Sequence, residues 1–133
     1  MALYVTDTHP VVWFVTGQRR KLSKTALRIF EDANRQHALV YVPAAVFWEI
    51  SILLRVGRVS LPQPLEQWAN ALLSRGGFEI APLDLAAILE AHHLTFTTDL
   101  FDAAIVAAAR VRGLPLITKD QRITDSHLVE IAW

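Results

Sequence analysis

The feature that most constrains the fold is an alternation of short, continuously apolar segments with segments whose apolar residues recur at helical spacing. The apolar segments of strand length are ALYVT, ALVYVP, FEIAPL and LPLIT, with LVEIAW as a fifth at the C-terminus. Continuous apolar runs of this length are typical of strands that are buried on both faces of a parallel sheet. The sequence therefore predicts the three-layer α/β class, with a central, mostly parallel sheet of four to five strands between helices.

The helices are predicted from periodicity and from the residues at their ends. Ser23 is a suitable N-cap for a helix whose apolar stripe comprises Leu22, Ala26, Ile29, Phe30 and Ala33. The other predicted helices lie in THPVVWFVTG, AAVFWEISILLRVG, LPQPLEQWANALLSRGG, DLAAILEAHHL and FDAAIVAAARVRG. Because the 133 residues contain no repeat, low-complexity segment or linker, we expect residues 1–133 to form one domain.

Composition excludes several classes of protein. No apolar run approaches the roughly 18 residues of a membrane span, and the N-terminus lacks the basic region of a signal peptide. The absence of cysteine excludes disulfides and thiolate metal sites, and together these features favour a cytoplasmic protein. Hydrophobic residues make up 53% of the chain, so we expect a partner or a second copy to cover part of the surface. We expect Trp13, Phe14, Trp48 and Trp68 to lie mostly in the core, with an interface as the alternative position for some of them.

Four acidic residues are predicted to lie at one edge of the sheet. Asp7 ends the first strand and Asp120 follows the fourth, whereas Glu49 and Asp102 lie near the starts of two helices. Ligand sites of open parallel α/β sheets form outside the carboxyl ends of the strands, where these four residues fall.

Three of the four acids also have an ordinary structural explanation. Asp7 is a suitable cap for the following helix, and Asp120 is a common type of turn residue. In the segment TTDLFD, Asp99 suits the N-cap position and Asp102 suits the third helical position, where a carboxylate interacts favourably with the helix dipole.

Glu49 is harder to explain in structural terms. Its neighbours at helical spacing are apolar, and Arg55 and Arg58 are too far along the helix to pair with it. A glutamate on an apolar helix face loses hydration unless another group compensates for that loss.

A hard divalent cation would explain all four acids together. Carboxylates that converge repel one another unless a cation joins them, and oxygen ligands without Cys or His suit Mg²⁺ or Mn²⁺. Such ions commonly serve phosphate chemistry. The chain has 13 basic and 13 acidic residues, so setting the four acids aside leaves nine acidic against thirteen basic residues on the rest of the protein.

The stretches around these acids resemble the PIN-domain ribonucleases, and within them the VapC-type toxins of toxin–antitoxin pairs. The matching stretches are YVTDTHPVVWFV, FWEISILLRVGRVSL, TTDLFDAAIVAAARVRGLPLITKD and the terminal VEIAW, which span nearly the whole chain. The most specific element is Asp-x-Phe-Asp about eighteen residues before Thr-x-Asp, within the ordered set Asp, Glu, Asp, Asp.

The resemblance implies a Mg²⁺-dependent endoribonuclease, with Mn²⁺ as the other candidate metal. Asp7, Glu49, Asp102 and Asp120 would be the catalytic, metal-binding acids, and Asp99 and Thr118 would support them. It also implies a homodimer and a protein antitoxin. The chain departs from the family pattern at Ala103, where an arginine is common, and at alanines 44 and 45, where a serine is often found.

Basic residues and rival families complete the sequence interpretation. Lys119 and Arg122 flank Asp120 and are the best candidates for contact with an RNA backbone, whereas the adjacent His92 and His93 do not suit a zinc site.

A haloacid-dehalogenase-like phosphotransferase would need a second aspartate where His9 stands, and a receiver domain would need a phospho-acceptor aspartate where the second strand ends at a proline. A PIN-like module that only binds partners remains the main alternative.

Overall fold

The computed structural model describes residues 1–133, which form a four-stranded parallel sheet flanked by seven α-helices. The strands are β1 (Ala2–Thr6), β2 (Ala38–Pro43), β3 (Phe78–Ala81) and β4 (Leu116–Ile117). The helices are α1 (Thr8–Val15), α2 (Lys24–Asn34), α3 (Ala44–Arg55), α4 (Leu65–Leu73), α5 (Leu85–His92), α6 (Leu100–Arg112) and α7 (Gln121–Ser126). A 3₁₀ turn, Arg19–Lys21, joins α1 to α2.

The strand order in the sheet is β3-β2-β1-β4, and every pair is parallel. This arrangement confirms the predicted α/β class, because continuous apolar strands need cover on both faces. The predicted fourth strand, LPLIT, was too long, since only Leu116 and Ile117 pair in the ladder with β1. The predicted C-terminal strand is reduced to one parallel bridge between Leu116 and Ile131.

The core is built from the inward faces of the strands and from aromatic side chains on the helices. Phe14, Phe30 and Phe78 form a stacked series with ring centroids 5.1 and 6.3 Å apart, which joins α1, α2 and β3. Burial of one such side chain contributes about 1.5–3 kcal/mol to stability. Phe14 and Trp68 are buried as predicted, whereas Trp48 is not a core residue, because it is 60% exposed; that it forms an interface instead stays a prediction.

Helix boundaries follow the predicted capping residues. The Ser23 hydroxyl accepts a hydrogen bond from the Ala26 N–H, and the predicted apolar stripe of α2 is buried. The sequence analysis missed α7, which Asp120 caps by accepting from the Ile123 N–H. No helix of the protein combines the length and the apolar character needed to cross a bilayer.

The parallel arrangement places the start of three helices at one edge of the sheet. Asp7 directly follows β1, α3 begins directly after β2, and Asp120 lies three residues beyond the end of β4. The backbone N–H of Asp7 donates to the Ile117 carbonyl over 2.9 Å, which fixes the ends of β1 and β4 side by side.

Gly77 allows α2 to approach the start of β3. A Cβ atom at this position would lie 1.8 Å from the carbonyl oxygen of Ala33, and the Gly77 carbonyl accepts from the Val40 N–H in β2. An alanine must therefore displace backbone and not a flexible side chain.

We predict that Gly77→Ala lowers the free energy of unfolding by roughly 3 kcal/mol, at the upper end of the usual cost of overpacking. Gly57→Ala is the matched control. Gly57 has a φ of +76° but open space around its Cβ position, so only backbone strain of about 1 kcal/mol applies. Urea denaturation measures both, and equal losses would contradict the steric role of Gly77.

Candidate active site

The carboxylate of Asp7 is held from two sides. Its Oδ1 accepts a hydrogen bond of 2.7 Å from the Thr8 N–H, so Asp7 is the N-cap of α1. Its Oδ2 accepts a bond of 2.7 Å from the buried hydroxyl of Thr118, which follows β4. Asp7 therefore acts as a helix cap, as one interpretation of the sequence proposed, and also faces the sheet edge.

Thr118 also positions Asp120. The Thr118 hydroxyl oxygen accepts a hydrogen bond of 3.0 Å from the Asp120 N–H. One buried hydroxyl thus orders the carboxylate of Asp7 and the backbone that carries Asp120. The predicted supporting position of Thr118 is consistent with these two contacts.

Glu49 reaches the same region from α3. Its Oε1 accepts a short hydrogen bond from the hydroxyl of Thr8 in α1. Glu49 is half-buried, and this bond replaces part of the hydration that its position removes. The sequence analysis missed Thr8, whose hydroxyl is buried directly after Asp7.

The start of α6 contributes two more carboxylates. Asp99 is the N-cap, and its Oδ1 accepts from the N–H groups of Phe101 and Asp102 over 2.9 and 3.0 Å. Asp102 lies in the first turn, as the capping interpretation predicted, and it is half-buried. The Trp48 and Phe101 rings meet edge-to-face with centroids 5.6 Å apart, which holds α3 against α6 beside Glu49 and Asp102.

The neighbouring carboxylates affect the pKa of Asp102. Burial is the main cause that raises the pKa of Asp102 to about 7, and repulsion adds to it. The repelling carboxylates are, in decreasing order of effect, those of Asp99, Asp7, Asp120 and Glu49.

The pKa values of Asp7 and Glu49 are raised as well. Burial is the largest cause for both carboxyl groups, and the hydrogen bonds from Thr118 and Thr8 partly oppose it. The charge of His9 also lowers both pKa values, so this exposed imidazole stands at the rim of the acidic site.

The donor set suits a hard divalent cation, because it consists of carboxylate oxygens whose repulsion a cation would offset. Asp7, Glu49 and Asp120 accept hydrogen bonds from protein donors, and no three His, Asp or Glu side chains stand in a geometry that could hold a metal ion. The structure thus brings the predicted acids together without arranging them as a ligand sphere.

An open cleft gives access to this edge. It has a volume of about 310 Å³ and is lined by Asp7, His9, Pro10, Trp13, Lys119 and Asp120. Lys119 therefore lies where the sequence analysis expected a contact with RNA. Arg122 is exposed on α7 but does not line the cleft.

One curated protein is similar to this chain along most of its length. Ribonuclease VapC22 of Mycobacterium tuberculosis is 27% identical over 123 residues, which cover 92% of this chain and 91% of that protein.

Solved structures show the same fold. The VapBC2 structure from Rickettsia felis, bound to a DNA fragment from their promoter, matches with a TM-score of 0.67 at 13% identity, covering 97% of this chain and 96% of that one. A toxin–antitoxin complex from Klebsiella pneumoniae matches with a TM-score of 0.65 at 19% identity, covering 100% and 98%.

The sequence model of the PIN-domain family matches residues 4–126. This span runs from β1 to the end of α7 and includes every acid described above. The chain therefore belongs to the PIN-domain family.

Proposed function

We propose that this protein is a Mg²⁺-dependent endoribonuclease and the toxin of a toxin–antitoxin pair. The observation that carries the proposal is the set of hydrogen bonds that joins three of the acids at one sheet edge, where Thr118 contacts Asp7 and Asp120, and Thr8 contacts Asp7 and Glu49. Repulsion from these three carboxylates adds to the burial that raises the pKa of Asp102 to about 7. PIN-family membership and the ribonuclease relative support it. Residues 1–133 would act as one unit in the cytoplasm.

In this proposal Asp7, Glu49, Asp102 and Asp120 hold Mg²⁺, or Mn²⁺ in its place. The ion would supply polarisation of the phosphate and a water of lowered pKa. The side chains around it set the geometry, because Thr118 orients Asp7 and Thr8 orients Glu49. Lys119, in the cleft beside Asp120, would bind a phosphate of the RNA backbone.

A groove beside the acids supports the proposed protein partner. The groove has a volume of about 440 Å³, lies between α3, α5 and α6, and is lined by nine hydrophobic residues. Two of them, Trp48 and Leu100, are 60% and 80% exposed. Exposed apolar surface on this scale marks a site of association, and a toxin–antitoxin complex is among the solved structures with this fold. The proposed antitoxin, and a second copy in a homodimer, would cover such surface.

The first prediction concerns metal-dependent cleavage. Incubated with total cellular RNA, the protein should create new RNA ends with Mg²⁺ and none with EDTA. Asp102→Asn and Glu49→Gln should each reduce the cleavage rate about 100-fold or more, because each removes a charge from the metal site.

The matched controls are Asp84→Asn and Glu66→Gln. Asp84 caps α5 and Glu66 lies in the first turn of α4; both are exposed, and neither is among the carboxylates that repel Asp102. Calorimetric titration with Mg²⁺ gives a second readout, in which only the site variants should lose binding. Wild-type cleavage by Asp102→Asn would refute the nuclease proposal and favour a PIN module that only binds partners.

The second prediction concerns stability without metal. Asp102 has an ordinary pKa of 3.8 and a folded-state value of about 7, so between these values the folded protein binds more protons than the unfolded chain. Stability therefore falls as pH rises through this window. In EDTA, Asp102→Asn should melt at a higher temperature than the wild type at pH 7.5, and the difference should shrink to about half at pH 5.5, which lies midway in this window.

Differential scanning calorimetry at both pH values measures this difference, with Asp84→Asn as the control for a lost surface charge. Addition of Mg²⁺ at pH 7.5 should raise the melting temperature of the wild type and of Asp84→Asn, but not that of Asp102→Asn. If the melting temperatures of the wild type and Asp102→Asn differ by the same amount at both pH values, the surroundings of Asp102 do not destabilise its charged form.

The third prediction concerns the toxin role. Expression of the protein alone should arrest growth, and Asp102→Asn should relieve the arrest while Asp84→Asn does not. Asparagine is uncharged and nearly isosteric with aspartate, so relief would report lost chemistry and not lost folding. Co-expression with the small open reading frame beside the gene should relieve the arrest and yield a stable complex. Arrest that persists with Asp102→Asn would contradict the nuclease-toxin proposal.

A further inference from the structure

A basic tract leads away from the acidic edge and has no part in the chemistry described so far. The cleft at Asp7 shares His9 and Trp13 with a second cavity of about 470 Å³, which is also lined by Lys21 and Arg58. The second cavity shares Gln18 and Lys21 with a third, beside the 3₁₀ turn. The three cavities therefore form one continuous surface, which we call the basic tract.

The charge of the basic tract suits a polyanion. Five of its lining residues are lysine or arginine, and the only acidic ones are Asp7 and Asp120 at the end nearest the site. Lys21 and Arg58 are exposed and neither forms an ion pair, since the two ion pairs of the protein are Arg19–Glu31 and Arg110–Glu90. Two unpaired cations thus stand on one cavity wall.

Backbone contacts place these cations at Trp13. The Gln18 N–H donates to the Trp13 carbonyl over 2.7 Å, and the following 3₁₀ turn sets the Lys21 ammonium 5.7 Å from the centre of the Trp13 ring. After α3 the chain turns back, because the N–H groups of Arg58 and Val59 both donate to the Leu53 carbonyl. Arg58 and Lys21 therefore line the same cavity from different parts of the chain.

An aromatic surface lies between these cations and the acids. The ring of Trp13 is half-buried and stands 5.7 Å from the ring of His9, which is exposed at the rim of the site. Proteins that bind single strands combine cations along the backbone with rings on which bases stack. In duplex RNA the bases are already stacked on one another, so an unpaired strand suits this surface.

We propose that the basic tract binds single-stranded RNA next to the scissile phosphate. A base stacks at Trp13 and His9, and Lys21 and Arg58 hold neighbouring phosphates. This inference rests on the proposed nuclease function and assigns residues outside the acidic site to RNA binding.

The test uses the full-length Asp102→Asn protein, which should not cut its ligand. The probe is a fluorescein-labelled single-stranded RNA of mixed sequence, whose binding is measured by fluorescence anisotropy at several salt concentrations. The double variant Lys21→Ala/Arg58→Ala should raise Kd about 10-fold and reduce the slope of log Kd against log salt by about 1.4, the value for two phosphates of a single strand.

The charge-matched control is Lys24→Ala/Arg28→Ala. Both control residues are exposed on α2 and line none of the cavities, so this variant should leave Kd and the salt slope unchanged. Trp13→Leu keeps an apolar side chain but removes the ring, and should raise Kd about 5-fold or more without changing the salt slope. Melting temperatures report whether each variant folds. If Trp13→Leu does not fold, the two charge variants alone test the proposal.

Equal binding by the tract variant and its control overturns the proposal, as does tighter binding of the same RNA annealed to its complement. The cleavage assay separates this result from the proposed function. If the wild type cuts RNA and the tract variant cuts and binds normally, RNA binding by the basic tract is rejected and the nuclease proposal is retained. If the wild type does not cut RNA but the tract variant loses RNA binding, the nuclease proposal is rejected and RNA binding by the basic tract is retained.

Discussion

The site depends on one buried hydroxyl, that of Thr118. It donates to Asp7 over 2.7 Å and accepts from the Asp120 N–H over 3.0 Å, so one side chain connects the ends of β1 and β4 with the start of α7. A buried hydroxyl that lost either partner would carry an unsatisfied polar group, at a cost of about 1–3 kcal/mol. The acidic edge and the central strands are therefore stabilised by the same contact.

An acid at this sheet edge can cap a helix and still belong to the proposed metal site. Asp7, Asp99 and Asp120 cap α1, α6 and α7, so the positive ends of three helix dipoles face the edge where the carboxylates meet. Each helix end favours a nearby carboxylate by about 0.3–1 kcal/mol. This contribution helps a folded chain to tolerate a cluster whose repulsion and burial raise the pKa of Asp102 to about 7.

The sequence was most informative where local rules and burial agree. Periodicity and capping residues located α2, and the apolar strand segments predicted the parallel sheet and hence the edge where Asp7 and Asp120 meet. The bond from Thr8 to Glu49 joins residues 41 positions apart, and no local pattern encodes it. The exposure of Trp48 depends on which face of α3 packs against the core, here that of Ala45, Val46 and Ile50, and composition does not determine this face.

The zero net charge of the chain conceals a strong separation of charge. Carboxylates gather at the sheet edge, while unpaired cations line the adjoining surface at Lys119, Lys21 and Arg58. An acidic edge alone would repel a phosphate backbone, so a nucleic acid can approach it only if nearby cations, and a metal among the acids, reverse the local potential. The acids and the cations are therefore complementary requirements of a single proposed activity, because the first supply the metal site and the second bring the polyanion to it.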